Sequence, residues 1–318
     1  MSELSQPSDP SQRSERLDPT QPTAGADASP SPAPSPGRSE AGAAEPTLYA
    51  GGARGRVNVR DLQLAKERGE RWPMLTTYDA LTAALFDETG IPVLLVGDSA
   101  ANVVYGYSTT VPVTMDELVP LVAAVTRSTH RALVVADLPF GSYQSSPEQA
   151  LDSAARFLKE GGAHAVKLEG GQRVLPQVEA LVGAGVPVMG HLGLTPQSVN
   201  ALGGYRVQGR GGAGEALLRD AKALEAAGAF AVVLEVVPSE LAERVSATLS
   251  IPTVGIGAGS GCDAQVMVWQ DLVGLSAGPT PKFVRRYADV RSVIGDAVGA
   301  WARDVVAGTF PDDEHSYR

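Results

Sequence analysis

Short apolar runs and amphipathic stretches alternate along this chain from about residue 57 onward. Eight of the runs are nearly continuous in Val, Leu, Ile and Ala: residues 73–77, 92–98, 132–137, 164–169, 186–191, 230–235, 252–257 and 265–270. Unbroken apolar runs of this length read as strands buried on both faces of a parallel sheet. Helix signals lie between them. The stretch VRDLQLAKERG predicts a short helix ending at Gly69. Asp79 is placed to cap ALTAALFDETG, which stops at Gly90. Thr114 and Glu117 form a capping box, and Ser146-Pro147 with Gln149 opens a helix that stops at Gly161-Gly162. Thr195-Pro196 and Pro238-Ser239 look like further starts. Eight strands alternating with helices favour an α/β fold of the closed (β/α)₈ type, with an open doubly wound sheet as the alternative.

The first 48 residues follow another pattern. Nine of the 23 prolines fall there, among Ser, Ala, Asp and Gln. Such a segment has too little apolar surface to offset the entropy of ordering it. It is expected to be a disordered tail, 1–48, ahead of a catalytic domain, 49–318. The net charge of −10 argues against nucleic acid or an anionic membrane as partner, since both reward clustered Lys and Arg. The single cysteine, Cys262, excludes an intrachain disulfide and fits a reducing compartment. No apolar run approaches the roughly 18 residues of a membrane span. A cytoplasmic location is the expectation.

Ionisable residues end several of the apolar runs: Asp98, Asp137, Lys167 with Glu169, His191 and Glu235. In a parallel barrel the strand C-termini converge on one mouth, where active sites sit. Lys167 and Glu169 point the same way, two residues apart on one strand. Carboxylates crowded at one mouth repel unless a cation joins them. Asp98, Asp137 and Glu169 offer only oxygen, a donor set suited to Mg²⁺. A 2-oxo acid could chelate such an ion, with Glu235 as the base. Lys167 is a candidate for neutralising the substrate's charge. Ser99 and His191 are candidates for hydrogen-bonding it. The glycine-rich stretch 255–261 is expected to bring backbone close to a ligand, and Cys262 beside it to be an inert thiol. Segment 202–214, with Tyr205, Arg206 and Arg210, reads as a lid.

The blocks MLTTYD, LLVGDS, VADLPFGSY, AVKLEGG, GHLGLTPQ, GGYRVQGR, LEVVP and GIGAG occur in this order. Together they resemble the ketopantoate hydroxymethyltransferase family over about residues 57–310. The resemblance implies a barrel of the phosphoenolpyruvate mutase/isocitrate lyase type. It implies transfer of a hydroxymethyl group from 5,10-methylenetetrahydrofolate to 3-methyl-2-oxobutanoate, giving 2-dehydropantoate for pantothenate synthesis. It also implies metal ligands at Asp98, Asp137 and Glu169, substrate contacts at Asp98, Ser99, Asp137 and Lys167, a proton acceptor at Glu235, and a homodecamer. Ala264 and Gln270 depart from the family pattern of a Gly and a His, which touches local packing rather than the chemistry. A metal-dependent carbon–carbon lyase or mutase acting on a 2-oxo acid is the alternative activity. A catalytically silent barrel is a further one.

Overall fold

A computed structural model describes residues 47–49 and 55–318. Most of the expected tail therefore lies outside the described residues. Residues 47–49 belong with the barrel: Leu48 is buried among Val57, Leu62 and Trp72, and its backbone bonds to the side chains of Glu70 and Arg131.

Eight strands close a parallel barrel in sequence order: β1 Trp72–Thr76, β2 Val93–Val96, β3 Leu133–Asp137, β4 Ala165–Glu169, β5 Val188–Gly193, β6 Ala231–Glu235, β7 Thr253–Ile256 and β8 Ala264–Met267. The helices are α1 Val59–Glu67, α2 Ala80–Glu88, α3 Ala100–Val103, α4 Met115–Arg127, α5 Pro147–Lys159, α6 Leu175–Gly183, α7 Val199–Leu202, α8 Ala213–Ala226, α9 Ser239–Thr248, α10 Trp269–Leu272 and α11 Val290–Ala307. Asp79 caps α2, Thr114 and Glu117 close their capping box on α4, and Ser146 caps α5.

Two expectations are corrected. The Thr195-Pro196 signal opens a single 3₁₀ turn, Pro196–Ser198, before the four-residue α7. The last apolar run stops as a strand at Met267, because Trp269 and Gln270 turn into α10. In the 255–261 stretch, packing requires a glycine at 259, where a Cβ would come within 2.5 Å of Ser239 on α9.

Strand alternation sorts the core into two layers. On β3, Val134 and Ala136 face the helices while Leu133 and Val135 point into the barrel. On β6, Val232 and Leu234 face outward while Ala231 and Val233 face inward. The inward series on β3, β4, β5 and β6 runs on to Asp137, Lys167 with Glu169, His191 and Glu235. Register sets neighbours level: Asp137 opposite Lys167, Glu169 opposite His191, Gly193 opposite Glu235.

The β7–β8 connection carries no helix, and α11 has no buried residue. Along α11, Ile294, Val298, Trp301 and Val305 recur at helical spacing and all are exposed. No helix among the described residues is long and apolar enough to cross a membrane.

Candidate active site

A cavity of about 170 Å³ lies at the strand C-termini. Asp98, Ser99, Asp137, Lys167, Glu169, His191 and Glu235, each singled out from sequence, all line it. Tyr205 of the expected lid lines it too; Arg206 and Arg210 do not.

The buried charges form one network. Asp98, Asp137, Lys167, Glu169 and His191 are each 1–5% exposed. Lys167 Nζ pairs with Asp137 Oδ2 at 2.8 Å and stands 3.3 Å from His191 Nδ1. His191 Nε2 is 3.1 Å from Glu235 Oε2, and its Nδ1 is 3.5 Å from Glu169 Oε1. Asp98 lies beyond the end of β2, and its backbone N–H donates to Asp137 Oδ2 at 3.2 Å.

Burial and charge compete in each pKa. Burial pushes the Asp137 carboxyl up to about 7, against the pull of the Lys167 ammonium. Burial also raises Glu169, which the nearby His191 only partly counters. For His191, burial and Lys167 act downward, but Glu169 and Glu235 outweigh them and lift the imidazole to about 9. Lys167 likewise ends above its ordinary value, because Asp137, Glu169 and Asp98 overcome its desolvation.

Three residues that support this network were not singled out from sequence. Gln197 donates its side-chain amide to Asp98 Oδ2 (3.0 Å) and to the Leu138 carbonyl, while its backbone N–H donates to Glu169 Oε2 (3.1 Å). The Tyr143 hydroxyl accepts from the Glu169 N–H (3.1 Å) and reaches Gln197 Oε1 (2.8 Å). The Tyr78 hydroxyl holds Ser99 Oγ at 2.8 Å. Gln197 sits in the quoted LTPQ block and Tyr143 in FGSY, yet an amide or phenol in a loop carries no charge signal to mark it.

Five carboxylates, Asp98, Asp137, Glu169, Glu235 and Asp271, line the cavity with two basic side chains, Lys167 and His191. When all seven are ionised, three negative charges remain uncompensated. Asp137 Oδ1 and Glu169 Oε1 are buried with no hydrogen-bond donor. Buried acceptors of this kind call for a partner. The donor set and the charge deficit fit a hard divalent cation. Among the described residues, no three His, Cys, Asp or Glu side chains form a ready-made metal cage. Mg²⁺ needs none, since it keeps several waters and uses few protein carboxylates.

The backbone next to the last carboxylate is strained. Val236 follows Glu235 at φ +48°, a region that a β-branched residue avoids. Gly193, across from Glu235, has φ +94°, and a Cβ there would fall 2.2 Å from the Glu235 carbonyl oxygen. The ends of β5 and β6 approach this closely only with glycine at 193.

Residues 56–313 match the family described as ketopantoate hydroxymethyltransferase. A 3-methyl-2-oxobutanoate hydroxymethyltransferase of Frankia casuarinae is 70% identical over 264 residues, covering 83% of this chain and 89% of its own. The protein of that name from Thermobifida fusca is 67% identical over 273 residues, covering 86% and 97%. Among solved structures, phosphonopyruvate hydrolase in complex with oxalate and Mg²⁺ superposes with a TM-score of 0.53 at 13% identity, over 81% of this chain and 92% of that one. A 2,3-dimethylmalate lyase of the PEP mutase/isocitrate lyase superfamily gives 0.51 at 16%, over 81% and 91%. Those two likenesses are of fold alone. With the matched residues spanning the whole barrel and its acidic mouth, this chain belongs to the ketopantoate hydroxymethyltransferase family.

Proposed function

We propose that the chain transfers a hydroxymethyl group from 5,10-methylenetetrahydrofolate to C3 of 3-methyl-2-oxobutanoate, giving 2-dehydropantoate, with Glu235 as the base. The observation that carries this reading is the position of Glu235. It shares one cavity with the buried Asp98, Asp137, Lys167 and Glu169, and its Oε2 is 3.1 Å from His191. Its side chain is 16% exposed, more than its neighbours, so it borders the space a substrate would fill.

Asp98, Asp137 and Glu169 are the residues that would hold Mg²⁺. Bound there, the ion supplies Lewis-acid stabilisation of negative charge on the keto oxygen. The protein's own groups do the rest. Lys167 and His191 favour an anionic substrate and the charge that develops on it. Ser99, steadied by Tyr78, offers a hydroxyl to the substrate carboxylate. Glu235 takes the C3 proton. The C3 carbanion then bonds to the methylene carbon of the folate, both C–N bonds of that carbon break, water supplies the hydroxyl, and the proton from C3 and one from water end on the two nitrogens of the departing tetrahydrofolate.

The test follows the C3 hydrogen of the oxo acid by proton NMR in heavy water with Mg²⁺. Glu235→Gln is expected to slow exchange by about 10²–10⁴-fold while substrate still binds. Exchange at the wild-type rate in that variant would remove Glu235 from the mechanism.

The proposal extends to a cytoplasmic enzyme organised as a tail, 1–48, and a barrel, 49–318. It also extends to a homo-oligomer, a decamer by family resemblance. The exposed apolar stripe on α11 supports assembly.

A further inference from the structure

Each of the three candidate metal ligands has one oxygen engaged by the protein. Asp137 Oδ2 takes the Lys167 ammonium at 2.8 Å and the Asp98 N–H at 3.2 Å. Glu169 Oε2 accepts the Gln197 backbone N–H at 3.1 Å, and Asp98 Oδ2 accepts the Gln197 side-chain amide at 3.0 Å. Asp137 Oδ1 and Glu169 Oε1 have no hydrogen-bond donor among the described residues. A single residue, Gln197, thus fastens two of the three carboxylates.

Asp98 depends on this clamp more than the other two. Asp137 and Glu169 stand on β3 and β4, where strand register fixes their direction. Asp98 lies two residues past Val96, the last β2 residue paired with β3. Gln197 reaches it from 99 positions away in the chain, as the middle residue of the 3₁₀ turn Pro196–Ser198.

The Gln197 amide has one workable orientation. The Leu138 carbonyl can only accept, so the NH₂ group faces it, at 2.9 Å. The second amide hydrogen goes to Asp98 Oδ2. From the other side the Tyr143 hydroxyl holds Gln197 Oε1 at 2.8 Å and Gln144 Nε2 donates to it at 3.2 Å. Both donors and both lone pairs are used, and the residue is only 4% exposed. A buried polar network satisfied in this way is rigid.

That rigidity bears on which ion fits. Mg²⁺ demands near-octahedral geometry, uses few carboxylates and keeps several waters. Ca²⁺ takes about six to eight oxygens and often both oxygens of one carboxylate. A carboxylate with one oxygen tied to an amide hydrogen is not free to turn both toward an ion. Discrimination between the two ions rests on ligand number and flexibility.

We infer that Gln197 is a positioning residue that sets ion selectivity: its amide holds one oxygen of Asp98 and its backbone one oxygen of Glu169, leaving single-oxygen ligands that favour Mg²⁺ over Ca²⁺. The inference rests on the proposed metal ligands and adds how the site tells hard cations apart.

Gln197→Met keeps the side-chain length and removes the amide. Tyr143→Phe keeps the ring and removes the hydroxyl that braces Oε1, so it tests the same clamp where Gln197→Met does not fold. Mg²⁺ and Ca²⁺ are titrated calorimetrically into each protein, with 3-methyl-2-oxobutanoate at saturation. Wild type should bind Mg²⁺ at least about tenfold more tightly than Ca²⁺. That ratio should fall by about tenfold in Gln197→Met and by about threefold in Tyr143→Phe. A merely structural role would weaken both ions alike. An unchanged ratio in Gln197→Met, or in Tyr143→Phe where only that variant folds, would overturn the inference. So would a wild type that binds Ca²⁺ as tightly as Mg²⁺. A wild type that binds neither ion would instead refute Asp98, Asp137 and Glu169 as metal ligands, and the inference would fall with them.

Discussion

Asp137 lies between a proton and a cation. Its carboxyl, raised from 3.8 to about 7, holds a proton in the folded protein at pH values where the unfolded chain has lost it. Between those values the folded state binds more protons, so metal-free stability falls as pH rises from about 4 through about 7. A divalent ion binds the deprotonated form and so competes with that proton. The increase in Tm produced by saturating Mg²⁺ should be larger at about pH 8 than at about pH 6. An increase that is flat or reversed with pH would mean that Asp137 is not a ligand. Val236 offers a second test at this scale. Left-handed strain costs about 1–3 kcal/mol, and Val236→Gly should recover about 1 kcal/mol of it as higher stability in chemical denaturation. Because the same strain holds the end of β6, C3 exchange should slow while the protein becomes more stable. Faster exchange in the more stable variant would show that the strained backbone does not position Glu235.

At the scale of elements, local signals and their outcomes match closely where the cause is local. Asp79, Thr114 with Glu117, and Ser146 cap the helices their spacing predicts, because a cap needs only its own first turn. Contacts that fasten one element to another left no such trace. Asp87 lies near the end of α2. It is 9% exposed and accepts the backbone N–H groups of His130, Arg131 and Ala132, which lead into β3. Asp87→Ala would leave those donors without their acceptor and should cost about 3 kcal/mol in urea unfolding, with C3 exchange per folded molecule unchanged. A cost under about 0.5 kcal/mol would mean water replaces the carboxylate.

Across the whole molecule, α11 is the feature a single barrel does not explain. Its stripe of Ile294, Val298, Trp301 and Val305 faces outward, and the β7–β8 connection contributes no helix. Replacing Ile294 and Trp301 together by Glu should lower the mass seen by light scattering after size exclusion; a wild-type monomer, or an unchanged mass, would end the case for assembly through α11. The chain by itself determined the eight strands, their parallel order and the acidic residues at their ends. Those depend on apolar run length and on a two-residue alternation, which any stretch of sequence displays. It was silent on Gln197 and Tyr143, and on the turn that carries Asp98 into the cavity beyond the alternation of β2. These arise where residues about 30 to 100 positions apart meet. Uncharged amides and phenols acquire meaning only from what closes around them, and closure of the barrel alone decides that.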